Sequence, residues 1–322
     1  MGYLEQKIEK LSNYLPGLTK EPDFELFWEN VLREAEKRPL NAAMKQVDYP
    51  ASYVEVYDIS YEGYDDTRIH GWFLKPRFGP KDHLPCLIQY HGFTGDRGYP
   101  SQLMHWVSMG LAVLAVDCRD QGGITGNCAS YHGSGMISNV VTKGITSKEE
   151  YYYKAVYVDS IRAIDFVSEL PDIDMSRIIV RGTSQGGALG MAVSALDHRP
   201  ALAIVNVPSN SNLTARVEGN HGSFAAVNAY LRVYPEQTDE VLKTLSYFDT
   251  MNMADKIECP VFASVALGDQ TCPAKCYFAS YNRIRAPKQI TVYPFNEHDG
   301  AGAFHLEKEM KYLKEYIPGL SS

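Results

Sequence analysis

Between Arg177 and Ala192 the chain passes from a β-branched run, through a serine flanked by glycines, into a stretch of small residues. Ser184 stands between Gly182 and Gly186. A Gly-x-Ser-x-Gly turn of this kind joins a strand to a helix so tightly that a side chain two residues from the serine would strike its neighbours. The serine is held at a strained backbone angle that pushes its Oγ outward. The helix start behind it aims N–H groups at any oxyanion that forms there. This one stretch predicts an open α/β sheet with a reactive hydroxyl at the carboxyl end of a strand.

The rest of the chain supplies that sheet. Pro85–Tyr90, Leu111–Val116, Leu202–Val207 and Val261–Leu267 are apolar runs with no polar face, as expected of strands covered on both sides, and Gln289–Tyr293 reads as the last strand. Val54–Ser60 and Arg68–Lys75 alternate like an antiparallel pair turning at Gly63 and Asp65. Helical periodicity covers Leu4–Leu15, Phe24–Lys37, Tyr152–Leu170 and Ala303–Tyr316. The expected class is therefore α/β: a mostly parallel central sheet with helices on both faces. Residues 1–40 form an N-terminal helical extension, and 1–322 reads as a single domain. Asp120–Glu149 and Ser209–Lys256 are long inserted connections, expected to serve as lids, pocket walls or subunit contacts.

A serine elbow needs a base and an orienting acid, and on such sheets they follow the nucleophile in the order acid, then histidine. The strand Val261–Leu267 runs into Gly268 and Asp269, and the strand Gln289–Tyr293 runs into a loop carrying His298. Ser184, Asp269 and His298 are the expected catalytic residues. Glu297 and Asp299 are rival acids, but as neighbours of the histidine they reach its Nδ1 poorly, and His305 falls within a helical pattern. The oxyanion donors are expected to be the backbone N–H groups of Gln185 and Phe93, the latter in the loop after His91, which itself reads as a loop anchor. No H-x-x-x-H spacing occurs, so no metal is expected.

Composition excludes other functions. The net charge is −8, and no Lys/Arg cluster suggests nucleic acid or anionic membrane. No apolar run reaches membrane-spanning length, and the N-terminus lacks the apolar core of a signal peptide. Cys86, Cys118, Cys128, Cys259, Cys272 and Cys276 are scattered, and all six read as structural free thiols of a reducing, cytoplasmic compartment.

With these residues in view, the chain resembles the acetyl xylan esterase / cephalosporin C deacetylase family, carbohydrate esterase family 7, of the α/β-hydrolase fold. The resemblance rests on the Glu21–Trp28 helix start, the His91–Pro100 loop, Asp117–Gly122, Thr142–Ile145 and Tyr151–Lys154. It continues through the Gly182–Gly187 elbow, Val205–Pro208, Leu267–Pro273 and Tyr281–Asn282. It implies a nucleophile at Ser184, an acid at Asp269, a base at His298 and oxyanion donors at Phe93 and Gln185. Phe93, Arg119, Gln121 and Pro208 are implied to contact substrate. Members remove acetyl groups from small acetylated xylo-oligosaccharides and from cephalosporin C. They use no cofactor, are usually intracellular, and commonly form hexamers, so a homo-oligomer is expected.

The chain departs from the family at Asp120 (commonly Gly), Asp299 (Glu), Phe93 (Tyr) and Ser209–Leu213 (aromatic-rich), changes expected to alter the pocket. Other activities on the same scaffold stay open: a short-chain carboxylesterase, a dienelactone hydrolase, a peptidase-like enzyme, or a non-catalytic binding protein.

Overall fold

A computed structural model describes residues 2–132 and 139–317. Residues 133–138, within the long Asp120–Glu149 connection, and both chain ends lie outside the described residues. Nine strands form one sheet: β1 Ala43–Val47, β2 Val54–Glu62, β3 Arg68–Pro76, β4 Leu84–Tyr90, β5 Ala112–Val116, β6 Ile173–Thr183, β7 Pro200–Asn206, β8 Val261–Ala266 and β9 Lys288–Tyr293. The order is β1-β2-β3-β5-β4-β6-β7-β8-β9. Pairings from β1 to β5 across β3 are antiparallel, and those from β5 through β4 to β9 are parallel. This is the α/β-hydrolase arrangement, with the crossover at β4 opening the sheet's carboxyl edge for a site.

Strand burial follows the two-sided packing expected of parallel strands: every residue of β5 and β8 is buried. Alternate residues divide between two apolar layers. Ile88, Leu114, Val180 and Val205 face one, with the aromatic residues of α2 (Phe24–Glu36) and α4 (Tyr152–Ser168). Leu87, Val113, Ile179 and Ile204 face the other, against Trp106 and Leu313. The N-terminal extension is bound to the core through α2: Trp28 is buried, and its indole N–H donates to the Tyr247 carbonyl at 2.9 Å. The preceding α1 (Tyr3–Ser12) buries no residue fully.

Three features differ from expectation. Strand β1 was not foreseen, because four of its five residues are exposed and it lies on the sheet edge, where no burial pattern is imposed. Strand β6 begins at Ile173 rather than Arg177, since its first half is only partly covered. The connection from Ser209 to Lys256, expected as a lid, pocket wall or subunit contact, also adds to the core. Its helices α6 (Leu213–Glu218), α7 (Ala225–Val233) and α8 (Thr238–Ser246) bury Phe224, Tyr230, Val241 and Leu245. Among the described residues no helix is long and apolar enough to cross a membrane.

Candidate active site

Strand β6 ends at Thr183, and helix α5 (Gln185–Leu196) begins two residues on. Ser184 between them has φ 59° and ψ −118°, a conformation that L residues adopt only under constraint. The constraint comes from its neighbours. Its N–H donates to the Asn206 carbonyl at 2.8 Å, and its own carbonyl accepts from Ser209 at 3.0 Å and Ala188 at 3.1 Å. The glycines are obligatory on contact grounds. A Cβ on Gly182 would lie 2.2 Å from the Gly186 carbonyl carbon, and one on Gly186 would lie 2.0 Å from the Tyr90 carbonyl oxygen.

The loops after β8 and β9 bring two more side chains to this serine. His298 Nε2 lies 3.0 Å from Ser184 Oγ, and its Nδ1 lies 2.8 Å from Asp269 Oδ2. The Asp269 side chain is fully buried, and its Oδ1 accepts from the backbone N–H groups of Thr271 and Cys272, both at 2.8 Å. An ionised carboxylate only accepts, so the imidazole carries its hydrogen on Nδ1 and leaves Nε2 free to take the serine proton. The rival carboxylates are elsewhere. Asp299 accepts from Asn296 Nδ2 and from the Glu297 N–H, ordering its own loop, so its shorter reach than Glu is used locally. His305 lies inside helix α10 (Gly302–Tyr316).

The backbone N–H groups of Phe93 and Gln185 have no hydrogen-bond partner among the described residues. Gly92 runs close beside the nucleophile turn: a Cβ there would lie 3.9 Å from Ser184 Cβ. His91 holds this loop in place. Its Nε2 accepts from the Cys118 N–H at 2.8 Å, and its Nδ1 donates to the Gly92 carbonyl at 2.7 Å. Burial pushes the His91 ring below its ordinary pKa, keeping it neutral as this bonding requires. Asp117 adds a second fastening, accepting from the Arg97 and Ile124 N–H groups.

Among the expected substrate contacts, Phe93 is half-buried beside the serine turn. Gln121 is also half-buried, but its amide is engaged with Thr94, Tyr152 and Gln185. One expectation is corrected. Arg119 is fully enclosed, its guanidinium gripping both oxygens of Asp159 at 2.6 and 2.8 Å and Asp65 at 2.9 Å, so it braces the loop and cannot touch a ligand. Pro208 is buried against helix α5, close enough that a Cβ on Gly187 would lie 3.0 Å from it. The departures are absorbed as well. Asp120 has φ 61°, the left-handed region that favours Gly, and its carboxylate turns to Lys143. Burial pushes that carboxyl up, but Lys143 and Asn127 outweigh burial and hold it below its ordinary value. Ser209, Asn210, Ser211 and Asn212 are buried; Ser209 Oγ donates to Asn210, and the other three bond to Tyr157, Thr250 and Asp249, so they replace apolar packing.

One neighbour escaped the sequence reading. Cys272 Sγ lies 3.9 Å from Ser184 Oγ and accepts from Arg216 Nη1 at 3.4 Å. The signal was the short turn after Asp269, whose carboxylate caps the Thr271 and Cys272 N–H groups and so presents residue 272 to the site. Among the described residues no group of His, Cys, Asp and Glu could hold a metal ion.

Residues 1–316 match the family described as acetyl xylan esterase (AXE1). The acetyl esterase Axe7A of Xylanibacter ruminicola is 29% identical over 293 residues, 88% of this chain; the chain spans 65% of that protein's length. Among solved structures, the acetyl xylan esterase from Paenibacillus sp. R4 superposes with a TM-score of 0.93 at 42% identity, covering 96% of this chain and 99% of its own. Acetyl xylan esterase 1 from Thermoanaerobacterium sp. JW/SL YS485 superposes with a TM-score of 0.90 at 28% identity, covering 96% of this chain and 98% of its own.

Proposed function

The chain belongs to the acetyl xylan esterase family, and from that premise we propose that it removes acetyl groups from small acetylated xylo-oligosaccharides through an acetyl-Ser184 intermediate. The observation that carries the reading is the bonded series Ser184–His298–Asp269 at 3.0 and 2.8 Å. Ser184 Oγ attacks the acetyl carbonyl while His298 Nε2 takes its proton. The tetrahedral oxyanion is held by the N–H groups of Phe93 and Gln185, which otherwise have no partner among the described residues. Collapse breaks the ester C–O bond, and His298 returns the proton to the departing sugar oxygen, which leaves as the free hydroxyl. Water then enters by the same steps, releasing acetate and free Ser184. Cephalosporin C, also an acetyl ester, is a second substrate in this reading.

Family resemblance supports a cytoplasmic homohexamer. Free cysteines fit a reducing compartment, and Phe295 and Tyr99, which are 82% and 75% exposed, are large apolar side chains for a subunit contact to cover.

The test is a panel comparing acetate release from acetylated xylo-oligosaccharides and cephalosporin C with hydrolysis of esters of longer acyl chains. The reading expects kcat/KM to be highest for acetyl esters and to fall as the acyl chain lengthens. A preference for long acyl chains, or for peptide substrates, contradicts it.

A further inference from the structure

Beneath the serine turn the apolar layer on one face of the sheet gives way to a buried polar cluster centred on Asn206, the last residue of β7. Its neighbours on the same face of that strand, Leu202 and Ile204, are packed in apolar contact with Phe262 and Leu313. Asn206 is itself buried, yet its amide makes three side-chain bonds. Nδ2 donates to Glu309 Oε1 at 2.5 Å. Oδ1 accepts from Ser264 Oγ at 3.0 Å and from His305 Nε2 at 2.8 Å. The bonds extend outward. Glu309 takes a two-pronged contact from Arg181 at 3.0 and 3.2 Å, and His305 Nδ1 accepts from the Tyr293 hydroxyl at 2.9 Å.

The bonding fixes one arrangement of hydrogens. The Asn206 NH2 group faces a carboxylate, so Oδ1 must accept, and His305 must carry its hydrogen on Nε2. Burial of the His305 ring, which lowers its pKa, keeps it in that neutral form.

The members of the cluster come from every chain segment that carries the proposed catalytic residues. Arg181 lies on β6, just before Ser184. Ser264 lies on β8, just before Asp269. Tyr293 ends β9, and His305 and Glu309 lie on α10, so together they bracket the loop bearing His298. Asn206 also holds the nucleophile directly, since its carbonyl accepts the Ser184 N–H at 2.8 Å. Buried ionic and polar groups often stabilise a fold no better than apolar residues of the same shape, but a fully bonded cluster rigidifies the segments it joins.

We propose that Asn206 is a positioning residue: with His305 and Glu309 it locks the segments bearing Ser184, Asp269 and His298 in mutual register. The proposal rests on the reading of Ser184 as nucleophile. Wild-type activity reports on that reading, whereas the ratio of variant to wild type reports on the cluster.

The experiment compares kcat, KM and the rate of fluorophosphonate labelling for the wild type, His305→Leu, His305→Gln and Ser264→Ala. Turnover of p-nitrophenyl acetate is counted per labelled site, well below each variant's Tm. Leu removes both bonds of the ring, whereas Gln can still donate to Asn206 Oδ1. Because misplacement of reacting groups by about 1 Å costs on the order of 10²-fold, His305→Leu is expected to lose about tenfold or more in kcat with KM within about twofold. His305→Gln should recover most of that loss, and labelling rates should follow kcat. Ser264→Ala deletes only one hydroxyl and keeps the test alive should His305→Leu not fold; a loss of roughly threefold in its kcat is expected on the same ground. A lowered Tm with wild-type kcat and labelling rate per site, in whichever of His305→Leu and Ser264→Ala fold, would overturn the proposal and leave the cluster a packing feature alone.

Discussion

Gln121 and Gln185 face each other amide to amide: Gln121 Nε2 donates to Gln185 Oε1 at 2.9 Å, and Gln185 Nε2 donates back to Gln121 Oε1 at 3.1 Å. Their orientation is set from outside the pair. Gln121 Oε1 also accepts the Thr94 N–H at 2.9 Å, and Gln185 Oε1 accepts the Tyr153 hydroxyl at 3.0 Å. The pair therefore ties the loop carrying Phe93 N–H, one proposed oxyanion donor, to the helix start carrying Gln185 N–H, the other. Two donors can stabilise an oxyanion only if their separation is held, and this contact adds a direct tie to the His91 and Asp117 bonds that fasten the loop.

Gln121→Ala should accordingly slow turnover without weakening substrate binding. Loss of the Thr94 anchor lets one donor drift, and a fall in kcat of about tenfold to 10² is expected. Steady-state kinetics on p-nitrophenyl acetate check it. Wild-type kcat with a raised KM would make Gln121 a substrate contact instead.

Asp269→Asn should be far more damaging than its single-atom change suggests. Asp269 Oδ1 is already committed to the Thr271 and Cys272 N–H groups. An asparagine would keep its oxygen there and turn its NH2 toward His298 Nδ1. The ring would then have to carry its hydrogen on Nε2 and could not accept from Ser184. By analogy with other triads the loss in kcat is on the order of 10⁴. A loss under about tenfold would point to a different orienting acid.

Asp249 predicts a pH dependence of stability. It is wholly buried, and burial pushes its pKa from 3.8 up to about 6, against the pull of three backbone N–H groups from Leu213, Met251 and Asn212. The folded protein therefore holds this proton more tightly than the unfolded chain. The stabilisation is fully present below pH 3.8 and is lost as pH rises through 6. Urea denaturation of wild type and Asp249→Asn at pH 4 and at pH 7 isolates the effect. The wild type should weaken relative to the variant at the higher pH, by on the order of 3 kcal/mol. A stability difference that does not change with pH would contradict this assignment.

The elbow was legible because its constraints are local: strand, glycines and helix all lie within Arg177–Ala192. Asp269 and His298 were legible because each follows the end of an apolar strand in the expected order. What the sequence hid depends on partners distant along the chain. Arg119 reads as an available cation until Asp159 and Asp65 enclose it. Asn210, Ser211 and Asn212 read as part of a lid, pocket wall or subunit contact until Tyr157, Thr250 and Asp249 supply buried partners. Gln121 meets Gln185, and Asn206 meets His305, only after β5, β6, β7 and α10 have assembled. Strand β1 was hidden for the opposite reason: it is too exposed to carry a burial pattern.

The most direct test is rapid quenching of the enzyme during turnover of an acetylated xylo-oligosaccharide, followed by mass spectrometry of its peptides. The account expects an acetyl group on the peptide containing Ser184. It should form fast enough to be an intermediate and be absent from Ser184→Ala. Acetate release by a Ser184→Ala enzyme at the wild-type rate, or an acetyl group on another side chain formed at the turnover rate, would contradict it.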